Sequence, residues 1–181
     1  MGAATAVGVV LFALLSRAMS GTAEVFVQSL IVLLGGALVT YWPAAIVRPR
    51  EVDTIGWTSL LAVVGAVVFT IVDIVILRPV HLYHWTWDAI GGGSGFWYIP
   101  IWWMGATFLA GVGATAYAYR PRSGRALPPA ELAGQTVAIA VVLFGLVGAT
   151  GIFPFHASVA ALSYAIALVV RVVIAVRQSA N

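Results

Sequence analysis

Cysteine is absent from this chain and charge is scarce, with nine basic and six acidic residues among 181. Without thiols there is no disulfide framework and no thiolate metal ligation. The shortage of charge excludes more. A soluble domain carries roughly 25% charged residues, because water must solvate its surface. Here the fraction is 8%, too little to cover a water-facing sphere of this size. Lysine is missing as well, so all nine basic residues are arginine. They stand singly or in short loops, and the formal charge of +3 therefore marks no basic face for nucleic acid. Several catalytic signatures are also missing. No nucleophile–histidine arrangement of recognised spacing occurs, and no phosphate-cradling glycine loop is followed by lysine. No histidine falls deep in an apolar run, which argues against transmembrane haem ligation. The run Gly91-Gly92-Gly93-Ser94-Gly95 lacks the preceding strand of a dinucleotide fold.

What is present is apolar. Hydrophobic residues make up 62% of the chain and the mean hydropathy is +1.04. The bilayer must be the solvent for most of such a surface. A helix needs about 20 mainly apolar residues to cross the hydrocarbon core. Segments at roughly 3–20, 24–47, 55–77, 96–119, 129–151 and 154–176 qualify. The expectation is an all-α integral membrane protein, a bundle of six transmembrane helices in a single polytopic domain over 1–181. The first thirteen residues have no basic n-region and no distinct cleavage site, and so read as a membrane helix rather than a signal peptide. A tight turn at Ile152-Phe153-Pro154 is expected between the last two helices.

Arginine sets the orientation, because cytoplasmic loops retain positive charge. Arg48, Arg50, Arg120, Arg122, Arg125, Arg171 and Arg177 all fall on one side if six helices alternate. Only Arg17 and Arg78 fall on the other. Both termini are therefore expected in the cytoplasm. The arginine bias, with abundant Ala, Val and Gly, suggests a bacterial cytoplasmic (inner) membrane protein.

The stretch from Arg78 to Pro100 is out of proportion to the other connections, and such loops are usually functional or disordered. Its first half is aromatic and amphipathic, which argues against disorder. One reading is an interfacial segment whose Tyr83, Trp85, Trp87, Trp97 and Tyr98 form an aromatic belt, with Gly91, Gly92, Gly93 and Gly95 as a hinge. The other is a cap or re-entrant segment over the bundle mouth, where bare backbone lets a ligand approach.

The scarce polar residues gather on the same outer side. Asp73 lies in the outer third of helix three, His81, His84 and Asp88 follow it, Glu24 and Gln28 open helix two, and His156 opens helix six. An intramembrane carboxylate is a functional candidate by default. Asp73 has a structural alternative, since Arg17 or Arg78 can neutralise it. Imidazole and carboxylate suit zinc, copper or iron. His81 and His84 share a face only if helix three continues past Pro79, so a metal site from His81, His84 and His156 is possible but disfavoured against histidines solvated at the interface. Glu24 and Gln28, four apart, share a helical face. Glu24 also suits a helix start, where the macrodipole favours negative charge.

Small residues point to packing instead. Gly145, Gly148 and Gly151 form a stripe on helix five, and Gly35, Gly36, Gly105, Gly111 and Gly113 lighten helices two and four. In lipid such positions let backbones approach closely. Pro100, ahead of Trp102 and Trp103, suits a first helical turn. The order of helix, tryptophan loop, proline and helix resembles membrane lycopene cyclases in outline. Those carry paired acidic residues after the proline, whereas Trp102 and Trp103 stand here, and the outline implies no cyclase activity.

Three functions fit these residues. The first is binding of a lipid or other lipophilic molecule near the outer face, with Asp73, His81, His84, Trp85, Trp87, Asp88, Trp97, Trp102, Glu24 and Gln28 as ligand-binding candidates. The second is an accessory subunit packed in an oligomer or a larger membrane complex. The third is a membrane enzyme or metal-dependent subunit using the outer His/Asp cluster. Binding ranks first, and no cofactor can be named.

Overall fold

Backbone N–H and C=O groups find no partner in hydrocarbon, so an apolar run there must satisfy them within itself, as a helix does. The computed structural model describes residues 1–47, 51–82, 98–119 and 127–180, and every element among them is helical. In order these are α1 (Gly2–Ala18), α2 (Gly21–Ile46), α3 (Glu51–Val72, running on as a π turn over Asp73–Leu77), α4 (Tyr98–Ala118), α5 (Pro129–Ala149) and α6 (Ala157–Ala180). Four stretches are long and apolar enough to cross a membrane: Gly21–Ile46, Asp53–Leu77, Pro129–Ala149 and Ala157–Ser179. The 17 residues of α1 fall short of the usual span.

α2 is the central post, since it packs against each of the other five helices. α3 lies along α4, α5 along α6, and α1 against α2 and α3. The side chains are sorted by size. Ala44, Ala62, Ala110, Ala114, Ala140, Ala160 and Ala167 are completely buried, whereas Phe26, Trp57, Met104 and Phe108 point outward. Small residues inside let the helix backbones approach, and large ones outside meet an apolar solvent at no cost.

Glycine extends the same logic at a few points. A Cβ on Gly113 would lie 2.8 Å from the Thr40 carbonyl oxygen, and one on Gly36 would lie 3.0 Å from the Tyr164 ring. Gly2 and Gly65 bring α1 onto α3 in a similar way. Gly35, Gly105 and Gly145 face open space, so the expected stripes are only partly used within the chain. Gly151 is not on α5 at all. It follows the helix at φ +68, a left-handed conformation that favours glycine.

The link between α5 and α6 is also longer than the expected three-residue turn, because α5 ends at Ala149 and α6 starts at Ala157. Phe155 folds back edge-on to Phe144, with ring centroids 5.2 Å apart. That contact fills the space over Gly148 and fixes the hairpin.

Buried hydroxyls tie the post to the last two helices. Tyr164 donates to Thr40 Oγ1 at 3.0 Å, and Tyr41 pairs with Thr136 Oγ1 at 2.8 Å. Thr136 in turn donates to the Leu132 carbonyl one turn back. Hydroxyls that reach across helices are thus satisfied without water.

Candidate functional site

Pro79 shapes the end of α3. It has no N–H, and in an α register its ring would collide with the Val75 carbonyl four residues back. The helix widens ahead of it, so Arg78 N donates to Asp73 O and Leu82 N to Leu77 O, each five residues back. Such π turns occur often at functional sites. Here the widening carries the Arg78 guanidinium over the Asp73 carboxylate, and Nε lies 3.0 Å from Oδ2. Asp73 is 1% exposed, and Arg78 leads out toward the surface.

The helix does not continue to His81. That residue sits at φ +48 in the turn that follows, so the shared helical face expected for His81 and His84 does not form through His81. The left-handed step turns the carbonyls of His81 and Leu82 toward α1, where Arg17 Nη2 donates to both. Arg17 therefore clamps the turn after α3 rather than Asp73. A cation at a helix C-terminus satisfies carbonyls that have no intrahelical donor.

Beside Arg17, Ser16 links α1 to α2. Gln28 Nε2 donates at 2.8 Å to both Ser16 Oγ and Glu24 Oε1, and Ser16 Oγ donates to the Phe12 carbonyl at 2.6 Å. Glu24 and Gln28 share a face as their spacing requires, and Glu24 lies in the first turn of α2 without a side-chain bond to the helix start. Thus Glu24, Gln28, Asp73 and His81 lie at one end of α1, α2 and α3, joined or flanked by Ser16, Arg17 and Arg78. Sequence reasoning missed Ser16, whose signal was its position beside the one arginine of α1.

His156 does something else. It precedes α6, and its Nδ1 accepts from the Ser158 amide at 3.3 Å and lies 2.9 Å from Ser158 Oγ. The imidazole thereby takes the part of an N-cap side chain. Among the described residues no group of three His, Asp or Glu is arranged to hold a metal. His84, Trp85, Trp87, Asp88 and Trp97 lie outside the described residues. Trp102 is carried on α4, with its side chain outside the described set.

The tryptophan next to it is placed. Trp103 Nε1 donates to Thr70 Oγ1 at 3.2 Å, and Thr70 donates to the Ala66 carbonyl. From Trp103 an open apolar groove of about 580 Å³ runs down α4, lined by Phe108, Gly111, Thr107 and Thr115 with Ile55 of α3. It covers about 18 Å of helix at 1.5 Å per residue. Its hydroxyls are spent internally, Thr107 on the Trp103 carbonyl and Thr115 on the Gly111 carbonyl. The groove presents an almost wholly apolar wall, with Thr70, three residues before Asp73, bonded at its tryptophan end.

Compared with known proteins, the chain matches no family model, no curated protein and no solved structure.

Proposed function

We propose that this protein is a six-span membrane protein, both termini cytoplasmic, that binds a lipophilic molecule along α4 with the molecule's polar end toward Asp73, Arg78 and Arg17. The observation that carries the reading is the apolar groove along α4, about 580 Å³ of space open along its length and bounded by Trp103 at one end. An apolar wall closed at one end by a hydrogen-bonded indole suits a long hydrocarbon chain. The charged and amide groups at that end suit a polar head. The arginine distribution supports the orientation, since seven of nine fall on one side when six helices alternate. An enzymatic reading has less support, because His81 is held by its backbone and His156 is engaged with α6.

Native mass spectrometry of the gently purified protein tests this. Wild type is expected to retain a lipophilic mass that Thr107→Phe and Thr115→Phe, which fill the groove, both lose. A bare monodisperse chain would sink the reading and leave an accessory subunit in its place. A mass retained equally by both variants would move the ligand away from α4.

A further inference from the structure

Asp73 and Arg171 are the two charged residues buried to within a few per cent among the described residues, and they are treated very differently. Asp73 is paired with Arg78. Arg171, 3% exposed on α6, buries Nε and Nη1 with no hydrogen-bond partner among the described residues. Arginine cannot relieve this by losing its proton. An unpaired charge held away from water is strongly destabilising. A cation kept in such a place is complete only with an anion.

The surroundings show where an anion would enter. Arg171 lines a small pocket with Tyr117 and Tyr119 at the end of α4, Leu127 just ahead of α5, Leu132 in its first turn, and Gln178 two turns further along α6. The enclosed part holds about 10 Å³ for the centre of a water-sized group, room for roughly one oxygen atom. Tyr119 and Gln178 are exposed and stand at the mouth. Their hydroxyl and amide are donors suited to the remaining oxygens of a tetrahedral oxyanion. Arg177 follows on the last turn of α6. The pocket is at the opposite end of α4 from Trp103 and Thr70, and is separate from the groove.

We propose that this pocket binds a phosphate-type oxyanion, with one oxygen against buried Arg171 and the others at Tyr119 and Gln178. The negative end of the α4 dipole also favours a cation there. The dipole alone leaves Nε and Nη1 without an acceptor, and an anion supplies one. Two sources carry this chemistry, the headgroup of an anionic phospholipid and free phosphate.

Thermal unfolding of the full chain in dodecyl maltoside separates them. The midpoint is followed against inorganic phosphate at ionic strength matched with chloride, and against micelles doped with phosphatidylglycerol or, as control, phosphatidylcholine. Wild type is expected to rise with phosphate, phosphatidylglycerol or both, and not with the control. A response to phosphatidylglycerol only assigns a lipid headgroup; a response to phosphate as well assigns the bare anion. Arg171→Leu is expected to need at least ten-fold more ligand for half the effect. Should that variant not fold, Gln178→Leu and Tyr119→Phe, both at exposed positions, are expected to weaken the response several-fold. No response in wild type, or an undiminished response in the variants that fold, overturns the proposal.

Discussion

Asp73 and Arg78 stand five residues apart and meet at 3.0 Å because the helix between them is π rather than α. In an α-helix residues five apart point about 140° away from each other. The i→i+5 bond from Arg78 N to Asp73 O removes most of that angle. The ion pair and the backbone irregularity are one feature, and Pro79 is its cause.

Removing one partner should therefore cost more than removing both. Arg78→Gln leaves a buried carboxylate facing a neutral amide, with an expected loss of about 2–4 kcal/mol, the lower values reflecting the part-exposed arginine. Asp73→Asn with Arg78→Gln is expected to recover more than half of it. Unfolding midpoints in mixed micelles give both numbers, and additive losses would show that the two side chains are not coupled.

At His81 the backbone is expected to matter and the imidazole not. Left-handed φ at a β-branched residue costs on the order of 1–2 kcal/mol. His81→Gly and His81→Asn should keep the wild-type midpoint while His81→Val lowers it. A matching fall in all three would assign the stability to the ring.

Neighbouring glycines should behave in opposite ways. Gly36→Leu drives a side chain into the Tyr164 ring, and overpacking of this kind costs about 1–3 kcal/mol. Gly35→Leu points into open space and should leave the midpoint unchanged. Loss of stability in Gly35→Leu would reveal that this face is covered by another chain.

The buried hydroxyls should each contribute modestly. Tyr164→Phe removes the donor to Thr40, and interhelical hydrogen bonds in membranes average about 0.6 kcal/mol. A measured loss beyond about 2 kcal/mol would mean that the hydroxyl also holds a wider network.

His156→Ala is expected to cost about 1 kcal/mol through the lost cap, and His156→Asn to restore it. A loss that His156→Asn fails to restore would contradict a capping role.

Much of the helical layout was legible in the sequence, because hydrophobic length alone marks a membrane run. The ends of α2, α3 and α4 lie within a few residues of the expected ones. The α5–α6 turn was misjudged because Ile152, Phe153 and Phe155 are apolar yet non-helical, and hydropathy cannot separate a packed turn from a span. The pairing of Glu24 with Gln28 follows from spacing, and the sequence offers Arg17 and Arg78 as the two partners for Asp73. The π turn was not legible, since it answers to a steric clash at Pro79 rather than to any pattern. Nor is the burial of Arg171, since a positive charge near a helix end marks the cytoplasmic side without showing that α4 and α5 close over it. That Trp103 reaches Thr70 depends on helix rotation, which a run apolar on every side does not encode.

The central position of α2 has a consequence for how the chain is made. Its partners Thr136 and Tyr164 lie 95 and 124 residues downstream of Tyr41 and Thr40. Through most of synthesis, then, the hydroxyls and the small-residue face of α2 wait in the bilayer for helices that have not yet left the ribosome. A ribosome stalled before α6 would release a chain whose innermost surface is still facing lipid, and that unfinished face is what membrane quality control would have to recognise.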